Sequence, residues 1–215
     1  MLKYIPLFAD CGCDMVLYDH RGHNSSDKAY ATGGILGSQA LLRVTEWTRE
    51  QTGFTLQQIG WLGVSWGGAT VLQAAAVEKE VAFVVSDSPF QDWHSAVLER
   101  AIRDYGGWIN AFVPTIKGLV DLRAGVQFEA ASALAAAPEI EAPVFLIHSR
   151  ADAATASSQS MNIAAQLNPV RSVFHHTEWG NDHAADISNN PDEFKALVDQ
   201  FIANQVRDFG HCYQD

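Results

Sequence analysis

Five short runs rich in Val, Ile, Phe and Trp, each closed by polar or glycine residues, govern what this chain can become. They are CDMVLYD (13–19), GWLGVS (60–65), VAFVVSD (81–87), PVFLIHS (143–149) and RSVFHHTEW (171–179). Their length and composition read as strands. Several are apolar nearly throughout instead of alternating, the pattern of a parallel sheet covered on both faces. Helix-like stretches separate them at roughly 34–51, 67–78, 155–167 and 191–206. The last opens on Asn190-Pro191-Asp192-Glu193. That is a capping residue, proline at the first helical position, and acids where the helix dipole is positive. Such alternation predicts an α/β fold: a mostly parallel sheet of about five strands, flanked by helices and joined by right-handed crossovers.

Residues 90–138 break the rhythm, being too long for a simple connection and carrying Trp93, Tyr105, Trp108, Phe112 and Phe128. A helical cap inserted over the carboxyl edge of the sheet is the expectation, since ligands of open α/β sheets bind at that edge. With no repeat and no low-complexity linker, residues 1–215 read as one domain, and 47% hydrophobic residues suffice for a sizeable core.

A formal charge of −11 argues against nucleic acid or an anionic membrane as partner, since both need basic surface. No apolar run approaches the roughly 18 residues of a membrane span, and Met1 opens no signal peptide, so a cytoplasmic location is expected. Three cysteines, Cys11, Cys13 and Cys212, are too few and too irregular for a disulfide framework or a zinc site. Reduced thiols, no metal and no organic cofactor are the expectation.

LGVSWGGATV (62–71) places Ser65 where a strand-like run ends and an alanine-rich helical run begins. A turn this sharp strains its central residue and needs small neighbours, which Gly63, Gly67 and Gly68 supply. It lifts the hydroxyl above the sheet and sets the N–H groups of Trp66 and Gly67 at a helix N-terminus, where they can stabilise an oxyanion. The alternative is an idle small residue in a glycine-rich turn.

A serine alcohol needs a base, and the base an orienting acid. In folds with this turn the chain order is Ser, acid, His. His20 and His23 precede the serine, His94 opens the cap, and His211 sits in the tail; His148, His175 and His176 lie within strand runs, where a structural role is commoner. His183 lies on a loop beyond the last strand, in WGNDH, and is the expected base. Two acids compete. Asp152 follows PVFLIHS in HSRAD, and Asp87 ends the preceding strand in VVSDSPF; Asp152 lies on the strand nearer the one feeding His183. Asp182 and Asp186 sit too close to His183 in sequence to orient its ring and read as a solvated acidic loop.

GVSWGG (63–68), HSRAD and GNDH in this order resemble the α/β-hydrolase superfamily. LYDHRGHNSSD (17–27) is similar to that superfamily's Asp-x-Arg-Gly-x-Gly-x-Ser loop, with Asn24 where its second glycine is usual. Together with SDSPF, these stretches look most like the bacterial esterase-like, serine-aminopeptidase-like branch. The resemblance implies hydrolysis through an acyl-enzyme, with Ser65 as nucleophile, His183 as base and Asp152 as acid, and small or medium acyl esters as substrates. An amidase or peptidase with the same triad, and a truncated non-catalytic binding module, are the alternatives.

Members of that branch carry earlier strands, one of them followed by a His-Gly loop that donates the second oxyanion N–H. No such dipeptide precedes Ser65 here. The expectation is a fragment or a natural minimal form, with residues 15–19 and 60–64 pairing directly or joined by a strand from a second chain in a homo-oligomer.

Overall fold

In the computed structural model, which describes residues 1–9, 11–206 and 209, four of the five apolar runs are strands. They are β1 (Gly60–Val64), β2 (Phe83–Asp87), β3 (Val144–Ser149) and β4 (Ser172–Thr177). All three pairings are parallel and the spatial order follows the chain, β1-β2-β3-β4, with Val64 opposite Asp87 and Ile147 opposite His175. Nine α-helices accompany them: α1 (Pro6–Ala9), α2 (Ile35–Thr52), α3 (Trp66–Ala75), α4 (Trp93–Tyr105), α5 (Val113–Ala124), α6 (Ala133–Ala136), α7 (Ser158–Ala164), α8 (Asp186–Asn189) and α9 (Pro191–Gln205) among the described residues. His211 and Cys212 lie outside those residues.

The central strands β2 and β3 are buried at every position, as their unbroken apolar runs require, while β1 and β4 are half-buried edges. Successive residues of a strand face opposite sides. Val84, Val144 and Leu146 accordingly meet Leu41, Leu72 and Ile163 from α2, α3 and α7 on one face. Phe83, Val85, Phe145 and Ile147 meet Leu7, Phe194, Phe201 and Ile202 from α1 and α9 on the other. Phe145 is fully buried, with Phe201 at 5.5 Å and Phe194 at 6.4 Å between ring centroids. Truncating it to alanine strips those contacts and leaves a cavity, so Phe145→Ala should cost about 3–5 kcal/mol, read from the urea midpoint.

The sheet has four strands and not about five, because residues 13–19 form no strand. A strand exists only where a neighbour takes its N–H and C=O groups, and β1 bonds β2 alone. Ser65 N–H reaches Asp87 O at 2.7 Å. By the alternation of a parallel ladder, the N–H and C=O of Leu62 and Val64 therefore point away from β2. A groove of ≈ 710 Å³ lies on that side, with Met15, Val16 and Leu17 among its lining and Gly60–Val64 opposite. The direct pairing of residues 15–19 with 60–64 does not occur.

The segment between β2 and β3 contains α4, α5 and α6. Asp92 caps α4, its carboxylate accepting from Ser95 N–H at 2.7 Å. Phe90 and Phe128 are buried, whereas Tyr105, Trp108 and Phe112 are exposed. Asn190 stands at the N-cap of α9 as expected, but its side chain accepts from Asn181 instead of capping.

The expectation of reduced thiols also needs correction. Cys11 is disulfide-bonded, while Cys13 is free and its thiol is pushed up by burial and by Asp14. Bonding depends on whether the fold brings two sulfurs into reach, which cysteine count and spacing do not encode. No helix among the described residues is long and apolar enough to cross a membrane.

Candidate active site

Ser65 occupies the junction between β1 and α3 with φ 53° and ψ −113°, a conformation that costs a non-glycine residue energy. Two neighbours make it possible. A Cβ on Gly63 would overlap the Gly67 carbonyl oxygen, and one on Gly68 would lie 2.8 Å from Ser86 Oγ. Gly67, expected to be needed for the same reason, has open space around it. The turn is pinned at both ends, by Ser65 N–H to Asp87 O at 2.7 Å and by Ala69 N–H to Ser65 O at 3.0 Å. Trp66 and Gly67 begin α3, so their N–H groups have no acceptor within the helix.

His183 arrives on the loop between β4 and α8, half-buried, with Nε2 2.8 Å from Ser65 Oγ and Nδ1 2.6 Å from Asp152 Oδ2. A carboxylate only accepts, so Nδ1 carries the proton and Nε2 is left to accept from the serine hydroxyl. The hydrogen bond to Asp152 raises the His183 imidazolium above the ordinary histidine range; burial lowers it less, and the Asp152, Asp87 and Asp182 charges raise it further.

Asp152 sits on the turn after β3. Its Oδ1 accepts Ala154 N–H at 2.8 Å and Thr155 N–H at 2.9 Å. Its Oδ2 takes His183 and also His148 Nε2 at 2.9 Å. Burial pushes this carboxyl up, but the hydrogen bonds from His148, His183 and Thr155 outweigh it and hold it well below the usual carboxylate range. From α4, Arg103 Nη1 donates to Ala153 O at 2.8 Å and Ala154 O at 3.0 Å, tethering the same turn.

The competing acid is engaged elsewhere. Asp87 accepts Tyr4 O–H at 2.5 Å and Ser88 O–H at 2.8 Å, and burial raises its carboxyl despite both bonds. Asp182 is exposed, as expected of a solvated loop, and accepts His183 N–H at 2.8 Å. Asp186 corrects that reading. It is buried, and takes Thr177 O–H at 2.6 Å and Asn181 Nδ2 at 2.9 Å, because the loop folds back over the end of β4.

The other histidines do not touch Ser65 through any hydrogen bond among the described residues. His20 and His23 stack on each other at 5.7 Å and stand edge-on to Trp66. His175 packs on Phe145, and His94 on Phe128. His176 Nε2 lies 3.0 Å from Ser157 Oγ. No group of three or more His, Cys, Asp or Glu among the described residues could hold a metal ion. Two participants escaped the sequence reading. Tyr4 lies far from Asp87 in the chain and carried no signal, whereas the His148-x-x-x-Asp152 spacing on a tight strand-end turn did. The whole arrangement can pass a proton from a serine alcohol to imidazole while a fixed carboxylate holds the ring.

Residues 3–117 match the family model described as alpha/beta hydrolase fold, and the chain belongs to that family. The uncharacterized protein YqkD of Bacillus subtilis is 26% identical over 205 residues. That match covers 94% of this chain and 66% of YqkD, so the chain spans just under two thirds of that relative's length. Among solved structures, an esterase of Pyrococcus furiosus superposes with TM-score 0.75 at 21% identity, over 96% of this chain and 76% of that one. A monoacylglycerol lipase of Paleococcus ferrophilus gives 0.63 at 18% identity, over 94% and 88%. An acylaminoacyl peptidase of Pyrococcus horikoshii gives 0.61 at 19% identity, over 82% and 28%. These likenesses establish a shared fold.

Proposed function

We propose that the chain is a serine hydrolase acting on small or medium acyl esters, with Ser65 as nucleophile, His183 as general base and Asp152 as the orienting acid. The observation that carries it is the unbroken line of hydrogen bonds from Ser65 Oγ at 2.8 Å through His183 to Asp152 at 2.6 Å. Ser65 Oγ attacks the acyl carbonyl as its proton moves to His183 Nε2. The resulting oxyanion faces the N–H groups of Trp66 and Gly67. Collapse of the tetrahedral intermediate expels the alcohol, which leaves with the proton from His183. Water, deprotonated by the same nitrogen, then releases the acid and restores Ser65. Residues 90–138 serve as a cap beside this site. No cofactor takes part in the scheme.

The structural likeness to an esterase and a monoacylglycerol lipase favours esters, and the likeness to an acylaminoacyl peptidase keeps amides as the second reading. A series of p-nitrophenyl esters assayed beside the matching anilides separates them. Ester turnover is expected to exceed anilide turnover, and a fluorophosphonate should label the peptide containing LGVSWGG once. Labelling at Ser86 or Ser149 would sink the assignment, and absence of both turnover and labelling would leave a non-catalytic binding module.

A further inference from the structure

Asp152 Oδ2 is shared by two histidines. His183 is part-exposed, whereas His148, the penultimate residue of β3, reaches the same oxygen from within the core. The His148 side chain is fully buried. Its Nε2 also lies 3.1 Å from Thr155 O. Both neighbours of Nε2, a carboxylate and a carbonyl, are pure acceptors, so Nε2 carries a proton whatever the state of the rest of the ring. On the opposite side Nδ1 is 2.7 Å from Ser160 Oγ on α7. The carboxylate thus has all four of its acceptor positions filled, two by backbone N–H groups and two by imidazoles.

We propose that His148 is a positioning residue for this site: anchored by Ser160, it donates Nε2–H to Asp152 Oδ2 and fixes that oxygen where His183 Nδ1 must find it. The inference rests on the serine-hydrolase reading above. Without the His148 N–H, Oδ2 keeps one donor. The carboxylate can then rotate about its backbone-held Oδ1, tilting the His183 ring away from Ser65. Misplacement on that scale is costly for proton transfer, while substrate contacts are untouched. The carboxylate is also relieved of one donor, so its charge acts more fully on the His183 imidazolium. The other charges facing these groups stay in place: Asp87 and Asp182 toward His183, His176 beside His148 with Arg150 and Glu178 behind it, and Glu99 and Arg103 from α4.

The test compares His148→Leu, which keeps volume but removes the donor, with His148→Gln, which offers an N–H near the same place. On p-nitrophenyl acetate, His148→Leu should lose about ten- to a hundredfold in kcat at unchanged KM. Its acid limb of kcat/KM against pH should move to higher pH. His148→Gln should return both toward the parent values. A folded His148→Leu with parental kcat and an unmoved limb overturns the proposal. So does an equal loss in both variants with no movement of the limb, which is what packing alone would produce. Where His148→Leu does not fold, Ser160→Ala serves, since it frees the ring to tilt. A several-fold fall in kcat at constant KM then supports the role, and a parental kcat overturns it. Ser65→Ala assayed alongside separates the two levels. If it keeps parental turnover, the hydrolase reading fails; if it is inactive while His148→Leu is normal, only the role of His148 fails.

Discussion

Ser65→Ala should reduce ester turnover about a millionfold, to the level that oxyanion donors and substrate binding supply without a nucleophile. The reason is local. His183 Nε2 has the Ser65 hydroxyl as its hydrogen-bonded partner at 2.8 Å, and among the described residues no second alcohol is bonded to that nitrogen. Stability should barely change. The turn is held by backbone bonds from Ser65 N–H and to Ser65 O, and both survive the loss of Oγ. Near-parental thermal unfolding with extinguished turnover and fluorophosphonate labelling is the expected pair of results. Turnover within tenfold of the parent would remove Ser65 from the chemistry.

Asp152→Asn should cost roughly 10⁴ in kcat, the magnitude known for the same exchange in the serine-protease triad. An amide in that place can donate to Nδ1, which turns the imidazole to the tautomer that cannot accept the serine proton. The pH profile gives an independent reading. A base must be neutral to act, so activity falls as pH drops through the His183 value, which lies above the ordinary histidine 6.5. Most of that elevation comes from the bond and charge of Asp152. Any residual activity of Asp152→Asn should therefore keep its acid limb to lower pH than the parent. Asp87→Asn should lower kcat by roughly tenfold or less, because Tyr4 and Ser88, not His183, hold that carboxyl. The reverse ranking would move the acid to the end of β2.

Local features were legible in the chain. The burial of β2 and β3 on both faces follows from their unbroken apolar runs, and the positive φ at Ser65 from the glycines at 63 and 68 that alone leave room for it. The helix starting at Pro191 follows from its own first turn. In each case the cause and the structure it produces lie within a few residues of one another.

What only the tertiary structure decided depends on partners distant in sequence. Residues 13–19 have the composition of a strand, but strand formation rests on a neighbour's hydrogen bonds, and β1 across the groove is too far to provide them. Asp87 ends β2 and Asp152 follows β3 on its turn, so both stand at the same edge of the sheet. Their partners come from packing, which sets Tyr4 on Asp87 and His183 on Asp152 Oδ2. His148 looked like one more strand histidine because β3 hides it. Its two hydrogen bonds come from the turn that brings Asp152 back over its ring and from Ser160 on α7 behind it. Side-chain chemistry and backbone preference are written residue by residue; which buried donor meets which acceptor is settled only when the layers close on one another.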